Sequence, residues 1–176
     1  MNTMRKAWPI PVLAAAAVCW GSTLAAQDKD EQEGNQAAVA KAVLSARVSL
    51  ERGLSASASH GRAISAKFEM EEGKLQLSVY TATGGKFFEV AIDPNSGAVV
   101  NAEPIAEGED YTAAQSQSAA MGKAKVSLRA AVQNALRANA GFRAVSVFPS
   151  LKDDRPVAEV TLAKGEEVRT VSVPLQ

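Results

Sequence analysis

The sequence predicts an α+β protein, a tandem repeat of one helix packed on a small antiparallel β-meander. Three observations carry that reading. Residues 63–97 contain three runs that alternate apolar and polar side chains, and each run closes in a turn. Ser49 stands before leucines at helical spacing, the arrangement of a capped helix. Both features then return: Val126-Ser127-Leu128-Arg129 repeats Val48-Ser49-Leu50-Glu51 at an offset of 78, and Ala144-Val145-Ser146-Val147 repeats Ala63-Ile64-Ser65-Ala66 at an offset of 81.

Residues 1–26 read as a Sec-type signal peptide. Arg5 and Lys6 supply the basic start, an apolar run reaches Trp20, and small residues close the segment at Ala25 and Ala26. The run is too short for a membrane span and carries Pro9 and Pro11. Cys19 raises the question of lipid attachment, but Val18 is not the small residue that acylation requires immediately before the cysteine. Cleavage is expected after Ala25 or Ala26, leaving a periplasmic or secreted chain with no stable membrane insertion. The cut removes Cys19, both tryptophans and two of the 19 basic residues, so 17 remain against 19 acids. A charge near −2 offers no footprint for nucleic acid. Without cysteine, packing alone must stabilise the exported chain.

Residues 27–36, with Asp28, Asp30, Glu31 and Glu33, form an acidic leader expected to be disordered. The first repeat covers residues 37–105. An alanine-rich stretch from Ala37 to Ala46 predicts a helix, Ser49 caps a second, and Gly61 ends it. The meander follows, with Ile64, Ala66, Phe68, Leu75, Leu77, Val79, Phe88, Val90 and Ile92 on the face that meets Leu50 and Leu54. A short fourth strand begins at Ala98 and is limited by Pro104. Residues 106–122, rich in Glu, Gly, Gln, Ser and Ala, read as a linker with room for one helical turn.

The second repeat covers residues 123–176. Leu128, Ala131, Val132, Ala135 and Leu136 form an apolar stripe behind Ser127. Val160, Gly165 and Val171-Ser172-Val173 then match Val79, Gly84 and Val90-Ala91-Ile92. Three extra residues at the helix exit account for the change of offset. Pro149 and Pro156 are expected to guard an edge of this repeat.

With both copies laid out, the chain resembles the PepSY domain family in its two-copy secreted form. The features that carry the resemblance are Val48-Ser49-Leu50-Glu51 and Lys125-Val126-Ser127-Leu128 opening a helix, the closing glycine, the strand around Val79-Tyr80, and the run from Val90 to Val99. The second copy departs from the pattern, with Pro174 where Asp93 would align and Gln176 ending the sequence before a closing strand. The resemblance implies a helix over one face of a small antiparallel sheet. It implies no catalytic residues, and it implies a role such as peptidase inhibition or regulation in the cell envelope.

Each chemical motif has a plainer explanation beside it. Asp93-x-Asn95-x-Gly97 opens like a calcium loop, but Gly97, Ala98 and Pro104 stand where such a loop needs a ligand, a glycine and a glutamate. A strand connector in which Asp93 bonds its own backbone explains the same residues. His60 is the sole histidine and lacks the partners of a zinc site or a catalytic triad. Its place beside Gly61 suits contact with the last helical carbonyls. Glu69, Glu71, Glu72, Asp153 and Asp154 fall in matching hairpin turns, where solvated charge is the default. No enzyme, cofactor or metal is therefore expected. Tyr80, Phe87 and Val168 share the strand face away from the helix. They are the candidate contacts for a partner, another envelope or secreted protein such as a peptidase, unless they serve only to pack the repeats. The rival reading is a small-ligand or metal sensor with its pocket between the repeats.

Overall fold

A computed structural model of the chain describes residues 36–176. The signal peptide and all but the last residue of the acidic leader lie outside the described residues. Helix α1 occupies residues 36–45, and Val39, Ala40 and Val43 on it are buried in the core. Helix α2 (Leu50–Ala56) continues as a 3-10 turn (Ser57–His60). Strands β1 (Arg62–Glu71), β2 (Lys74–Thr83), β3 (Lys86–Ile92) and β4 (Val99–Ile105) follow. Helix α3 (Gly108–Lys123) leads to helix α4 (Leu128–Ala138) and to strands β5 (Arg143–Lys152), β6 (Arg155–Lys164) and β7 (Glu167–Pro174). The architecture is α+β, as the alternation and capping patterns predict. Among the described residues no helix is long and apolar enough to cross a membrane.

All seven strands belong to one antiparallel sheet, in the order β4-β3-β2-β1-β5-β6-β7. Ser49 and Ser127 cap α2 and α4 alike, each side chain accepting the amide N–H three residues on, from Arg52 and Ala130. The two-residue turns after β1 and β5 both place left-handed residues at their centre, Glu72 and Gly73 in one and Asp153 and Asp154 in the other. Such turns match the twist of the strands they join, and aspartate tolerates the conformation better than most residues with a side chain. A bulge interrupts β1 between Ala63 and Ser65, and β5 between Ala144 and Ser146, at matching positions. The halves meet where β1 pairs with β5 through Ala66 with Val147 and Lys67 with Ser146. Ala66 and Val147 are themselves counterparts at the offset of 81, so a local dyad passes between them.

Helices α2 and α4 lie side by side on one face. Gly53 brings α2 so close to the sheet that a Cβ there would fall 2.3 Å from Leu77 Cδ2 and 3.6 Å from Ile92 Cδ1. Gly61 ends the 3-10 turn with φ of 136°, and a Cβ at that position would meet the Ala82 carbonyl oxygen at 2.6 Å. Ile64, Ala66, Phe68, Leu77, Val79, Val90 and Ile92 are buried as the alternation predicts, whereas Leu75 and Phe88 are half-buried. Two arginines at matching positions make long-range ties. Arg62 Nη2 donates to the Met121 carbonyl at 2.6 Å, in the last turn of α3, and Arg143 Nη2 donates across the halves to the Val48 carbonyl at 3.2 Å, ahead of α2.

Three expectations need correction. Residues 108–123 are a full helix, and Gln117 on it meets the buried Ser65 hydroxyl at 2.6 Å, so α3 covers the sheet face opposite α2 and α4. Its Ala, Glu, Gln and Met content favours helix even though its apolar stripe is weak. Pro149 and Pro156 do not guard an edge, because β5 and β6 are interior strands. By the antiparallel pattern the Pro149 nitrogen faces β1, so its missing N–H limits the β1–β5 ladder. Pro104 does not stop β4 but lies within it, which an edge strand tolerates.

Candidate functional site: an open sheet edge

Strands β3 and β7 occupy the same place in the two halves, yet their outer edges differ. The loops before them are two residues long, so the flanking pairs Thr83 with Lys86 and Lys164 with Glu167 are hydrogen-bonded pairs. Alternate residues then point their backbone groups away from the hairpin: Phe87, Glu89 and Ala91 on β3, and Val168, Thr170 and Ser172 on β7. On β3 these meet β4 through Ile105, Glu103 and Asn101. On β7 no strand covers them among the described residues.

The other end of the sheet is guarded. By the same alternation β4 turns Val100, Ala102 and Pro104 outward, and Pro104 has no N–H to offer. Its pairing with β3 is also irregular opposite Ala91 and Ile92, although Val100 is 63 % exposed. On β7 the one proline, Pro174, stands at the end. Leu175 beyond it is fully buried, with its N–H on the Pro156 carbonyl at 2.9 Å and its own carbonyl accepting from Lys125 and Val126. The first half holds the corresponding segment in the same way, Val48 donating to the Pro94 carbonyl at 3.0 Å.

Inward from the edge, Arg169 stacks over the Phe142 ring at 4.4 Å and bonds Asn139 and Glu167. Thr170 and Thr161 share a hydroxyl contact of 3.2 Å on the face where α3 lies.

Of the candidate contacts, Tyr80 and Phe87 are each 8 % exposed. The Phe87 ring packs edge-on against Tyr111 of α3, with centroids 5.5 Å apart, and Lys67 Nζ sits 5.7 Å from the Tyr80 ring. Val168 lies on the same face of the other half, is half-buried and is one of the outward-facing residues of β7. Sequence reasoning missed Tyr111 and Gln117, though Tyr111, Ala114, Gln117 and Met121 recur at helical spacing.

The remaining motifs stay apart. Asp93 Oδ1 accepts from the Ser96 N–H at 2.7 Å, the Ser96 hydroxyl at 2.8 Å and the Asn95 N–H at 3.1 Å. The Ser96 amide first, then its hydroxyl and the Asn95 amide, hold this carboxyl below the usual aspartate range. The His60 carbonyl accepts from the Thr81 hydroxyl at 3.3 Å. Because β1 and β5 run in opposite directions, the acidic turns at Glu71-Glu72 and Asp153-Asp154 lie at opposite ends of the sheet and do not form one carboxylate pair. Among the described residues no group of three or more His, Cys, Asp or Glu side chains is placed to hold a metal. A cleft of about 390 Å³ opens between the halves, lined by Leu54, Arg62, Met121, Leu128 and Arg129 among others.

No family model matches the chain, and no curated protein matches it. Among solved structures, a candidate lipoprotein from Clostridium difficile 630 is similar at 12 % identity and a TM-score of 0.41, over 68 % of this chain and 78 % of that one. A likeness of that size adds nothing to the topology described above.

Proposed function

We propose that the mature chain is a non-catalytic, exported PepSY-type protein that binds another polypeptide in the cell envelope and so inhibits or regulates a peptidase. The signal peptide supports export. The observation that supports binding is the edge of β7, uncovered among the described residues, at the place where β3 already receives β4. An unpaired row of N–H and C=O groups accepts an extended segment through main-chain hydrogen bonds, with little demand on its sequence.

The test is inhibition of a thermolysin-like metallopeptidase by the mature protein. Hydrolysis of a peptide substrate is expected to slow as the protein is added, and Thr170→Pro, which removes an outward N–H from β7, is expected to weaken that effect at least tenfold. Unchanged hydrolysis across a panel of envelope peptidases, with no complex formed with any of them, would overturn the proposal.

A second reading, envelope sensing of a small ligand or metal, draws on the cleft between the halves. A ligand bound only by the folded state at a hundred times its dissociation constant adds about 2.7 kcal/mol. A thermal-shift screen of metabolites and metal ions would reveal it, and a flat response throughout would remove it.

A further inference from the structure

We infer that the uncovered edge of β7 also pairs with β7 of a second copy of this chain, antiparallel and about a dyad at Thr170. The inference rests on the reading of β7 as a docking edge and names one occupant for it. Among the described residues the outward backbone groups of Val168, Thr170 and Ser172 have no strand partner. Two such edges brought together antiparallel complete each other, each hydrogen-bonded pair exchanging both N–H···O bonds. The contact is isologous and closes on itself, so it yields a dimer and not a filament. Pairing β7 with β4 of another copy would leave free ends and grow, but the outward Pro104 of β4 obstructs it.

Charge and proline select the register. With Thr170 opposite Thr170 of the second copy, Val168 meets Ser172, Arg169 meets Val171 and Glu167 meets Val173, so no like charges stand opposite. A slip that centres the dyad on Arg169 sets two arginines face to face, which is unfavourable. A slip that centres it on Val171 sets Pro174 opposite Val168 and loses the bonds that a proline N–H would have made. The favoured register also sets threonine against threonine, a cross-strand pair that stabilises antiparallel sheets.

A single strand pair covers less surface than a standard stable interface, so the dimer is concentration-dependent and exchanges readily. The chain already pairs counterpart strands about a dyad at Ala66 and Val147, in the same antiparallel sense.

Sedimentation equilibrium of the mature protein over a concentration series tests this. A monomer–dimer equilibrium is expected, and Thr170→Lys and Thr170→Glu alone should each weaken it at least tenfold, since like charges then meet at the dyad. An equimolar mixture of the two variants should recover association, a rescue that a folding defect would not produce. A native protein that stays monomeric at every concentration would overturn the inference, as would Thr170→Lys associating as tightly as the native chain, or a mixture that fails to recover. A monomer that still inhibits a peptidase through β7 would end this inference while leaving the proposed function standing.

Discussion

Phe68 is nearly fully buried on the sheet face that α2 and α4 cover, and it pairs across strands with Leu77. Phe68→Ala should therefore destabilise the protein by about 3–5 kcal/mol, the range for emptying a phenylalanine site in a core, read from urea denaturation. Gly53 fails in the opposite way. Leu77 is fully buried and cannot swing clear of a new methyl 2.3 Å away, so Gly53→Ala should cost about 1–3 kcal/mol through overpacking. At Asp93 the folded protein favours the charged form, because the Ser96 and Asn95 groups donate to it. A carboxyl lowered by folding stabilises above the ordinary aspartate range and loses that contribution as pH falls through its lowered folded value. The stability gap between the native protein and Asp93→Ala should accordingly be constant near neutrality and shrink in acid, checked by denaturation at several pH values.

Helices α2 and α4 each depend on a serine at their start. Ser49→Ala or Ser127→Ala should lower stability by about 1 kcal/mol, the usual cost of losing such a cap, seen as a lower thermal midpoint. These elements were legible because caps and turns act over three or four residues and leave local marks. The strands of the first half were legible for a similar reason, since their large apolar side chains recur at every second residue on the face that meets α2, although α3 buries much of the other face as well. Helix α3 was only faintly legible: Tyr111, Ala114, Gln117 and Met121 recur at helical spacing, but the partners they meet are distant, Gln117 finding Ser65 and Tyr111 finding Phe87 only once the sheet exists. The roles of Pro149 and Pro156 were hidden for the same reason, as being interior or at an edge is a property of strand order, which alternation does not encode. Of the candidate contacts, the place of Val168 at the position matching Phe87 follows from the repeat, while the burial of Tyr80 and Phe87 depended on α3.

At the scale of the molecule, one sheet runs through both halves, and Arg143 of the second reaches the Val48 carbonyl of the first. Neither half can open without breaking core shared with the other, so unfolding should be a single cooperative transition. Both tryptophans, Trp8 and Trp20, precede residue 27, so a chain that starts at Gln27 makes the test direct: Phe88→Trp in one half and Phe148→Trp in the other should report the same urea midpoint, and two separated midpoints would refute the coupling. The dyad at Ala66 and Val147 has one more consequence. It is the geometry of a two-subunit contact built inside one polypeptide, with α3 as the tether. A tether makes association intramolecular and holds each half at an effective concentration set by the tether's span and stiffness. The brief β1–β5 ladder can therefore be weak as a contact and still stay closed, because its partner is never diluted away.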